Sequence, residues 1–433
     1  MKPSHKTISF YTLGCRLNQS ETEILEQIFS ASPHYQIKSF DEPCDIYVIN
    51  TCTVTEKSDL DTRKLVHKIS RLNPQAKIAL IGCQSQTQKE KLAKFPHVHW
   101  VVGNEKKMDL LTILKGQPAE QPVNIITPTI LKNDFSLPIS DSMHGRTRAH
   151  IKIQDGCNFF CSYCEVPYAR GRARSRVFDN ILKEADSLVK AGHKEIIITG
   201  INAGTYHQNN YKFIDVINAL EQISGLERIR ISSIEFTTIP EEILRKMAAQ
   251  SKLCRFLHVP LQSGADPILK SMNRKYTFKE YNSFLQKAYA MVPGICLGTD
   301  IIVGFPGETD KYFIQTADRL KKLPIHYLHV FSYSKRPFAK SRLLSGENPL
   351  STIQKRSQIL RELSKEKRAT FHHSLIGSTQ NVLFEQKKGD YWFGFTDNYV
   401  RVKVSSNLQL SNQILPVKLE KEFDQIILGK LLN

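Results

Sequence analysis

Short apolar runs alternate with helix-length segments through most of this 433-residue chain. In residues 1–115, four such runs predict β-strands, at residues 6–13, 45–50, 77–81 and 97–102. Helical patterns follow the first three runs. Strands that alternate with helices predict a parallel, doubly wound sheet, and such sheets bind ligands at the carboxyl ends of their strands. The first segment is therefore predicted to be an α/β domain of this kind.

A second alternating stretch covers residues 149–334. It contains six strand candidates: Ala149–Ile153, Glu195–Thr199, Arg228–Ser232, Arg255–Pro260, Cys296–Gly304 and Tyr327–Ser332. Six such units predict a partial (β/α)6 barrel with its active site at the carboxyl ends of the strands. Three further segments are predicted from composition and patterning: a proline-rich linker at 116–148, a basic connecting segment at 335–369, and a small antiparallel β-barrel at 370–433.

Three cysteines lie close together just after the first strand of the second stretch: Cys157, Cys161 and Cys164. The spacing C-x3-C-x2-C offers three thiolates from one loop. A structural zinc site uses four closed ligands, and no fourth Cys or His follows within the next few residues. The loop therefore predicts a [4Fe–4S] cluster with one iron open to a small molecule. A zinc knuckle lacking one ligand, or three unligated thiols, is the alternative.

Another three cysteines are far apart in sequence but similar in position. Cys15, Cys52 and Cys83 each follow a predicted strand of the first segment and precede a helix. Parallel strands place their carboxyl ends on one edge of the sheet, so these side chains should share that edge. Metal ligands and ordinary buried thiols both remain open on this pattern alone. The other three cysteines have no ligand-spaced neighbour and are predicted to be ordinary core or near-surface thiols: Cys44, Cys254 and Cys296.

The charge of the chain restricts its partners. Sixty Lys and Arg against 42 Asp and Glu give a net charge of +18, which favours a polyanion, most simply nucleic acid. No apolar stretch approaches the length of a membrane span, and the start of the chain leads into a strand pattern rather than a signal segment. We therefore expect a cytoplasmic protein with no membrane partner. Nine cysteines in a chain of this length favour metal binding or catalysis over disulfides.

Two basic regions could contact nucleic acid. Four arginines between residues 170 and 176 follow the cysteine loop, and their position favours a phosphate clamp over a solvated charge run. In the last segment, basic and aromatic residues interleave. They are Lys387, Lys388, Arg401 and Lys403, with Tyr391, Trp392, Phe393, Phe395 and Tyr399. Such residues can track an RNA backbone and stack on bases, or fill a barrel core, and opposite faces of one strand allow both.

Longer motifs carry a family resemblance along the whole chain. They are residues 12–19 around Cys15, 50–55 around Cys52, 82–83, 154–164, 166–171, 258–264, 272–274 and 300–308. In these motifs the chain resembles the radical S-adenosylmethionine (SAM) methylthiotransferases, and its tail resembles their RNA-binding TRAM module. The resemblance implies two [4Fe–4S] clusters, one on each cysteine trio, with SAM bound at the open iron of the Cys157–Cys164 loop.

The resemblance also implies the reaction and the partners. A radical derived from SAM would remove hydrogen from C2 of an adenine, and sulfur and a methyl group would be added there. The tRNA anticodon stem-loop would be the substrate, and an electron donor such as a flavodoxin-type reductase system would supply the electron. The motifs favour the branch acting on threonylcarbamoyladenosine. One departure from that branch follows Pro337, where Phe338 begins a run that usually consists of small residues.

Two alternatives to this function are kept. The first is methylthiolation of isopentenyladenosine by a related branch, which differs at a few motif positions. The second, from another class, is a non-enzymatic iron–sulfur protein that binds RNA and senses redox state.

The residues that hold SAM are harder to predict. Gly304 and Gly307 end the fifth strand of the second stretch, where glycines allow close approach of a ligand, although a tight turn would also need them. The second strand ends at Asn202 without the Gly-Glu pair that many radical enzymes carry there. We therefore predict that Asn202, Gln262, Ser263 and Arg274 contribute contacts. The Arg274 fork could hold a carboxylate, and a surface residue at a helix end is the alternative for it. His258 and His329 are predicted to be hydrogen-bonded strand residues rather than catalysts.

Overall fold

The computed structural model describes residues 5–116, 123–139 and 147–432. The chain divides into two compact units. The first unit comprises Met1–His144, Lys152–Ile181 and Ser334–Arg342, and the second comprises Gly145–Ile151, Leu182–Tyr333 and Leu343–Asn433. Residues 117–122 and 140–146 of the predicted linker lie outside the described residues.

The strands follow the predicted alternation. In chain order they are β1 Lys6–Thr12, β2 Tyr35–Ile37, β3 Ile46–Thr51, β4 Lys77–Gly82, β5 Val98–Val102, β6 Asn124–Ile126, β7 Arg148–Lys152, β8 Gln154–Asp155, β9 Arg174–Ser175, β10 Glu195–Thr199, β11 His207–Gln208, β12 Tyr211–Lys212, β13 Arg228–Ile231, β14 Phe256–His258, β15 Cys296–Val303, β16 Tyr327–Ser332, β17 Thr379–Lys388, β18 Tyr391–Thr396, β19 Arg401–Ser405, β20 Ile414–Phe423 and β21 Ile426–Leu431.

The helices lie mostly between these strands. They are α1 Arg16–Ser30, α2 Glu56–Leu72, α3 Cys83–Thr87, α4 Lys89–Leu92, α5 Leu110–Lys115, α6 Val166–Arg170, α7 Phe178–Lys190, α8 Phe213–Glu221, α9 Glu241–Ala248, α10 Asp266–Ser271, α11 Phe278–Met291, α12 Asp310–Lys322 and α13 Leu350–Leu375. Within the described residues, we find no helix that combines the length and apolar character needed to cross a membrane.

The first unit is built on a six-stranded parallel sheet. Its order is β2-β1-β3-β4-β5-β6, which confirms the predicted doubly wound arrangement. Every residue of β3 is buried, because alternate side chains enter two different apolar clusters. Ile46 and Val48 pack with Phe10 and Phe29 on one face, whereas Ile49 packs on the other. A central strand covered on both faces reads as a continuous apolar run, as the sequence does here.

The part of the second unit that precedes the tail is built on two three-stranded sheets, β13-β10-β7 and β14-β15-β16. The pairs β10–β13, β14–β15 and β15–β16 are parallel, and an isolated parallel bridge joins Ile229 to Leu253. The six strands coincide with the six predicted for the partial barrel, and helices separate most of them in the chain. This arrangement confirms the predicted α/β core.

The tail of the chain forms a closed five-stranded barrel, in the order β17-β18-β19-β21-β20. The helix α13 leads into it and crosses residue 369, where the sequence suggested a boundary. The apolar centre of this barrel is continuous with Phe256 of β14, Cys296 of β15 and Tyr327 of β16. Removing the tail would therefore expose core side chains of the remaining second unit.

Candidate metal centres and the buried network around them

The first candidate centre is formed by the cysteines at the ends of β1, β3 and β4. These strands are neighbours in the sheet, so Cys15, Cys52 and Cys83 converge as the sequence predicted. Gly14 lies against Cys52 so closely that a Cβ on Gly14 would be 2.8 Å from the Cys52 Sγ. Burial, followed by the neighbouring Cys83 and Cys15 thiols, raises the pKa of Cys52 to about 12.

The chemistry of this trio suits a cationic metal group. Three thiolates at such close quarters repel one another, which is why each thiol opposes ionisation of the Cys52 thiol. A bound iron–sulfur core would relieve that repulsion and take three deprotonated ligands. Thiolate sulfur is the ligand type that iron–sulfur clusters use.

The second candidate centre is the loop between β8 and α6. The Cys157 N–H donates to the Gly171 carbonyl at 3.1 Å, and the Cys164 N–H donates to the Cys161 carbonyl at 3.0 Å. Two other backbone N–H groups point at sulfur: Phe159 N lies 3.5 Å from the Cys157 Sγ, and Val166 N lies 3.4 Å from the Cys164 Sγ. Backbone donors of this kind stabilise thiolate ligands and tune the cluster they hold.

A buried ionic network, which the sequence did not predict, accompanies the two centres within the first unit. It consists of Glu21, Lys107, Lys152, Asp155 and Arg170, whose side chains are all at most 4% exposed. Arg170 donates from both Nη atoms to Glu21, at 3.0 Å each, in a bidentate pair. Lys152 Nζ lies 2.8 Å from Glu21 and 2.6 Å from Asp155, and Lys107 also pairs with Glu21. Removing one member would leave buried charges uncompensated.

The network is hydrogen-bonded to the backbone of both cysteine regions. Arg170 Nη2 donates to the Asn18 Oδ1 at 2.6 Å, and Asn18 Nδ2 in turn donates to the Leu13 and Thr51 carbonyls beside Cys15 and Cys52. A second amide does the same at Cys83. Asn104 Nδ2 lies 3.6 Å from the Cys83 Sγ and donates to the Ala169 carbonyl at 2.6 Å. The loops that carry the two cysteine trios are therefore fixed to one another by buried polar contacts.

The charge of this network indicates what should lie beside it. Three cations, Lys107, Lys152 and Arg170, face two carboxylates, Glu21 and Asp155, which leaves one surplus positive charge in a buried place. Burial alone lowers the pKa of Arg170, but the nearby Cys83 sulfur and the carboxylates raise it well above its usual range. A [4Fe–4S] core on three thiolates carries a net charge of about −1 in its oxidised state, which would balance the surplus.

A smaller ion-pair group links the same two regions at another point. Glu165, next to Cys164, accepts from Thr53 Oγ1 at 2.8 Å and from Arg336 Nε at 3.3 Å. Arg336 Nη2 also donates to Asp59 at 3.0 Å. Thr53 directly follows Cys52, and Glu165 directly follows Cys164. This group therefore helps to position those two cysteines relative to each other.

The structure corrects the predicted phosphate clamp after the cysteine loop. Arg170 and Arg176 are fully buried, and Arg174 is held in an ion pair with Glu105 at 3.0 Å. Their charges serve the interior of the first unit, so the clamp prediction is wrong for these three residues. Arg172 is the exposed member of the run, and its guanidinium lies 4.3 Å from the centre of the Phe160 ring.

The predicted SAM contacts lie in the second unit, where several are engaged in internal contacts. Arg274 pairs with Glu235, so the carboxylate that its fork holds in this structure belongs to the protein. The Asn202 Oδ1 accepts from Thr238 Oγ1 at 3.1 Å. Ser263 is buried, and its Oγ accepts from the Ala265 N–H at 3.2 Å in the turn that precedes α10.

Three predicted contacts occupy unusual backbone conformations. Gln262 has a φ of 75° although it is not glycine, with its N–H bonded to the Asp300 carbonyl at 2.8 Å. Gly304 and Gly307 have φ of 80° and 83°. A Cβ on Gly304 would meet Ile353 at 2.4 Å, whereas nothing lies within 4 Å of one on Gly307. Close packing and a positive φ together explain the glycine at position 304, and the positive φ explains the glycine at position 307.

Two strand histidines are hydrogen-bonded, as predicted. His258 lies between the Tyr327 hydroxyl at 2.8 Å and the Asp300 carboxylate at 2.7 Å, and His329 approaches the same carboxylate at 3.3 Å. Burial opposes ionisation of Asp300, but the two imidazoles hold its pKa well below the usual range. The side-chain nitrogen and oxygen atoms of His258, Asp300 and His329 that could bind a metal ion lie within 4.8 Å of one another. The hydrogen bonds among these side chains account for the arrangement without a metal ion.

The remaining cysteines behave as predicted for core thiols. Cys44, Cys254 and Cys296 are buried, and burial raises the pKa of Cys254 and of Cys296 to about 12.

The residues of the buried ionic network were missed because they are spread over 150 positions between residues 21 and 170. A partial signal existed, since Asp155 and Arg170 lie inside motifs that also hold the cysteine loop.

The close packing of Gly14 gives a first prediction. Gly14→Ala should reduce iron incorporation at the Cys15/Cys52/Cys83 trio, because the new Cβ would collide with Cys52 and Gly14 has a φ of 95°. The backbone strain alone costs about 1–2 kcal/mol. Gly377→Ala is the matched control, since Gly377 has a φ of 85° with nothing within 4 Å. Iron analysis after anaerobic reconstitution distinguishes them; equal iron content in both variants would contradict the steric argument.

Comparison with known proteins identifies the family. The Radical SAM superfamily matches residues 151–320, and the Uncharacterized protein family UPF0004 matches residues 7–103. The chain is 35% identical to the threonylcarbamoyladenosine tRNA methylthiotransferase MtaB of Bacillus subtilis, over 96% of this chain and 94% of the relative. It is 32% identical to the tRNA-2-methylthio-N(6)-dimethylallyladenosine synthase of Endomicrobium trichonymphae, over 87% and 88%.

A solved structure shares the fold. The radical SAM methyltransferase TsrM from Kitasatospora setae superposes with a TM-score of 0.56 at 14% identity, covering 89% of this chain and 79% of that one. At that identity the likeness concerns the fold alone. The near full-length match to the methylthiotransferases carries the assignment. This chain belongs to the radical SAM tRNA methylthiotransferases, enzymes that use SAM and a [4Fe–4S] cluster.

Proposed function

We propose that this enzyme attaches a methylthio group to C2 of threonylcarbamoyladenosine next to the tRNA anticodon. The observation that carries the proposal is the 35% identity to a relative of that name over 96% of the chain. Relatives named for dimethylallyladenosine are less similar, at 30–32% identity, although some cover as much of the chain. Methylthiolation of isopentenyladenosine is therefore the second candidate. The chain belongs to an enzyme family, which argues against the alternative of a non-enzymatic iron–sulfur protein that senses redox state.

The proposal gives the two cysteine trios separate roles. Cys157, Cys161 and Cys164 would hold the cluster that binds SAM, and Cys15, Cys52 and Cys83 would hold a second [4Fe–4S] cluster that handles sulfur. When bound, these groups supply the radical chemistry and the sulfur that protein side chains cannot provide. Electrons would come from a donor such as a flavodoxin-type reductase system.

The chain's own residues would position these groups and exclude water. The bidentate Arg170–Glu21 pair and the Asn18 and Asn104 amides fix the cysteine-bearing loops from inside the first unit. Such buried, fully engaged contacts resist the small displacements that reduce catalytic rates. The surplus positive charge of the network favours an anionic cluster over an empty thiol site.

In the second unit, the tail barrel has a face suited to RNA. Trp392 is buried in the barrel, whereas Tyr391 and Phe393 point outward on the same strand. Arg401 lies 5.1 Å above the Phe393 ring, and Lys403 lies 5.0 Å above the Tyr391 ring. Cations and rings on one face can contact phosphates and unpaired bases together, which supports a role in tRNA binding.

This face gives a second prediction. Arg401→Gln with Lys403→Gln should weaken tRNA binding and reduce the slope of log K against log[salt] by roughly 1–2, because each phosphate contact contributes just under one unit. Surface substitutions are preferable to removing residues 370–433, since the tail shares its core with Phe256 and Tyr327. Lys190→Gln and Lys321→Gln on exposed helix surfaces of the second unit serve as charge-matched controls. An unchanged slope would exclude this face from phosphate contact.

Nucleoside mass spectrometry tests the proposed substrate directly. Total tRNA from cells lacking the gene should retain threonylcarbamoyladenosine without its methylthio derivative, and the intact gene should restore that derivative. Restoration by the wild type but not by Cys161→Ala would tie the product to this enzyme. Appearance of methylthiolated isopentenyladenosine in its place would establish the second candidate.

A further inference from the structure

Two aromatic side chains of the first unit form an exposed pair beside the Cys157–Cys164 loop. Tyr168 on α6 and Phe338 are 40% and 44% exposed, and their rings stack with centroids 5.7 Å apart and an interplanar angle of 29°. Phe160, inside the loop, meets Tyr168 edge-on at 6.3 Å. Two large rings held together while each remains nearly half exposed present an apolar surface to solvent.

One acidic residue holds both members of the pair in place. The Glu165 Oε1 accepts from the Phe338 N–H at 2.9 Å, and the Glu165 carbonyl accepts from the Tyr168 N–H at 3.0 Å. Glu165 is itself buried and paired with Arg336. Three residues beyond Phe338, the Ser341 N–H donates to the Ser162 carbonyl at 2.8 Å. The aromatic pair is thus fixed to the cysteine loop on both sides.

A cation completes the surface. Arg172 is exposed, and its guanidinium lies 4.3 Å from the centre of the Phe160 ring. Unlike the other arginines of its run, its charge remains on the outside of the first unit. Exposed rings with an adjacent guanidinium are the elements with which proteins hold unpaired bases, because every base has a π-face and a phosphate nearby.

We propose that Tyr168 and Phe338 form a stacking platform for an unpaired base of the tRNA anticodon loop, with Arg172 contacting the adjacent phosphate. The proposal rests on the tRNA substrate proposed above and adds the surface that holds a base of it. The platform lies beside the loop that carries Cys157, Cys161 and Cys164, where a base near the reacting nucleotide would need a fixed position. A folded, paired stem offers no free base face, so the occupant is single-stranded.

Fluorescence of an anticodon stem-loop carrying 2-aminopurine at single loop positions tests the platform in the reconstituted full-length enzyme. One loop position should be quenched on binding, and Phe338→Leu should abolish that quenching while weakening binding about 5- to 100-fold. Phe338→Trp should restore both, because it regains the stacking face. Tyr289→Ala removes a similarly exposed ring of α11 and should change neither quantity.

The controls separate platform loss from structural damage. Phe338→Leu keeps apolar packing on Tyr168, so its iron content should equal that of the wild type. Quenching unchanged in Phe338→Leu, or no better in Phe338→Trp than in Phe338→Leu, would overturn the platform. If either of these results is found but the wild-type enzyme still binds and modifies the stem-loop, the platform is wrong and the proposed function stands. A wild type that fails to modify threonylcarbamoyladenosine contradicts the proposed function instead.

Discussion

Cys161→Ala should reduce reductive cleavage of SAM to background. The two remaining thiolates, on Cys157 and Cys164, would hold a cubane poorly. The backbone N–H groups directed at their sulfur atoms cannot replace the missing third ligand. The measurement is release of methionine and 5′-deoxyadenosine under anaerobic conditions with dithionite as reductant. The same variant should lose about half of its iron, because the other cysteine trio is unchanged.

Cys44→Ala provides the matched control for this variant. Cys44 is buried and its thiol donates to the Glu42 carbonyl at 3.4 Å, so it belongs to neither trio. Its replacement should leave cleavage and iron content at the wild-type level. Cleavage retained in Cys161→Ala at the level of Cys44→Ala would refute the assignment of the loop.

Cys52→Ala should separate the two halves of the reaction. Cleavage of SAM should be largely unchanged, because the Cys157–Cys164 loop retains its three ligands, while formation of the methylthio product should stop. Cys52 is the trio member pressed against Gly14, and it is buried, so its replacement removes one of the three thiols that would hold a cluster there. Mass spectrometry of a tRNA substrate, run beside the cleavage assay, gives both quantities.

The control for Cys52→Ala addresses the buried contacts near it. Thr53→Val alters the neighbouring residue, whose hydroxyl donates to Glu165, without removing a thiol. It should lose less iron than Cys52→Ala, because all three thiols remain, whereas Cys52→Ala should lose about half. Equal loss of cleavage and product formation in Cys52→Ala would argue against separate roles for the trios.

The fold could be predicted largely because the central strands of the first sheet are buried on both faces. The central strands β3 and β4 read as continuous apolar runs, and their ends place the cysteines correctly. The strands β2 and β6 were missed, since three residues are too few to show an alternation. The tail barrel was also predicted, but its shared core with Phe256 and Tyr327 depends on tertiary contacts that no local pattern records.

The site was predicted less evenly. Cysteines at the ends of strands could be placed from local pattern, and their ligation remains a prediction until iron is measured. The arginines after the loop were misassigned because a charge in sequence does not reveal its partner, and Arg170 meets Glu21 across 149 positions. Arg274 shows the same difficulty, since its carboxylate partner, Glu235, lies 39 positions away.

Iron and sulfide analysis of three anaerobically reconstituted proteins tests the central claim most directly. The wild type should contain about eight iron atoms per chain, and each triple alanine variant, of Cys15/Cys52/Cys83 or of Cys157/Cys161/Cys164, should contain about four. Mössbauer spectra should assign the iron in all three to [4Fe–4S] cubanes. About four iron atoms in the wild type, with one triple variant unchanged from it, would contradict two clusters on two trios of cysteines.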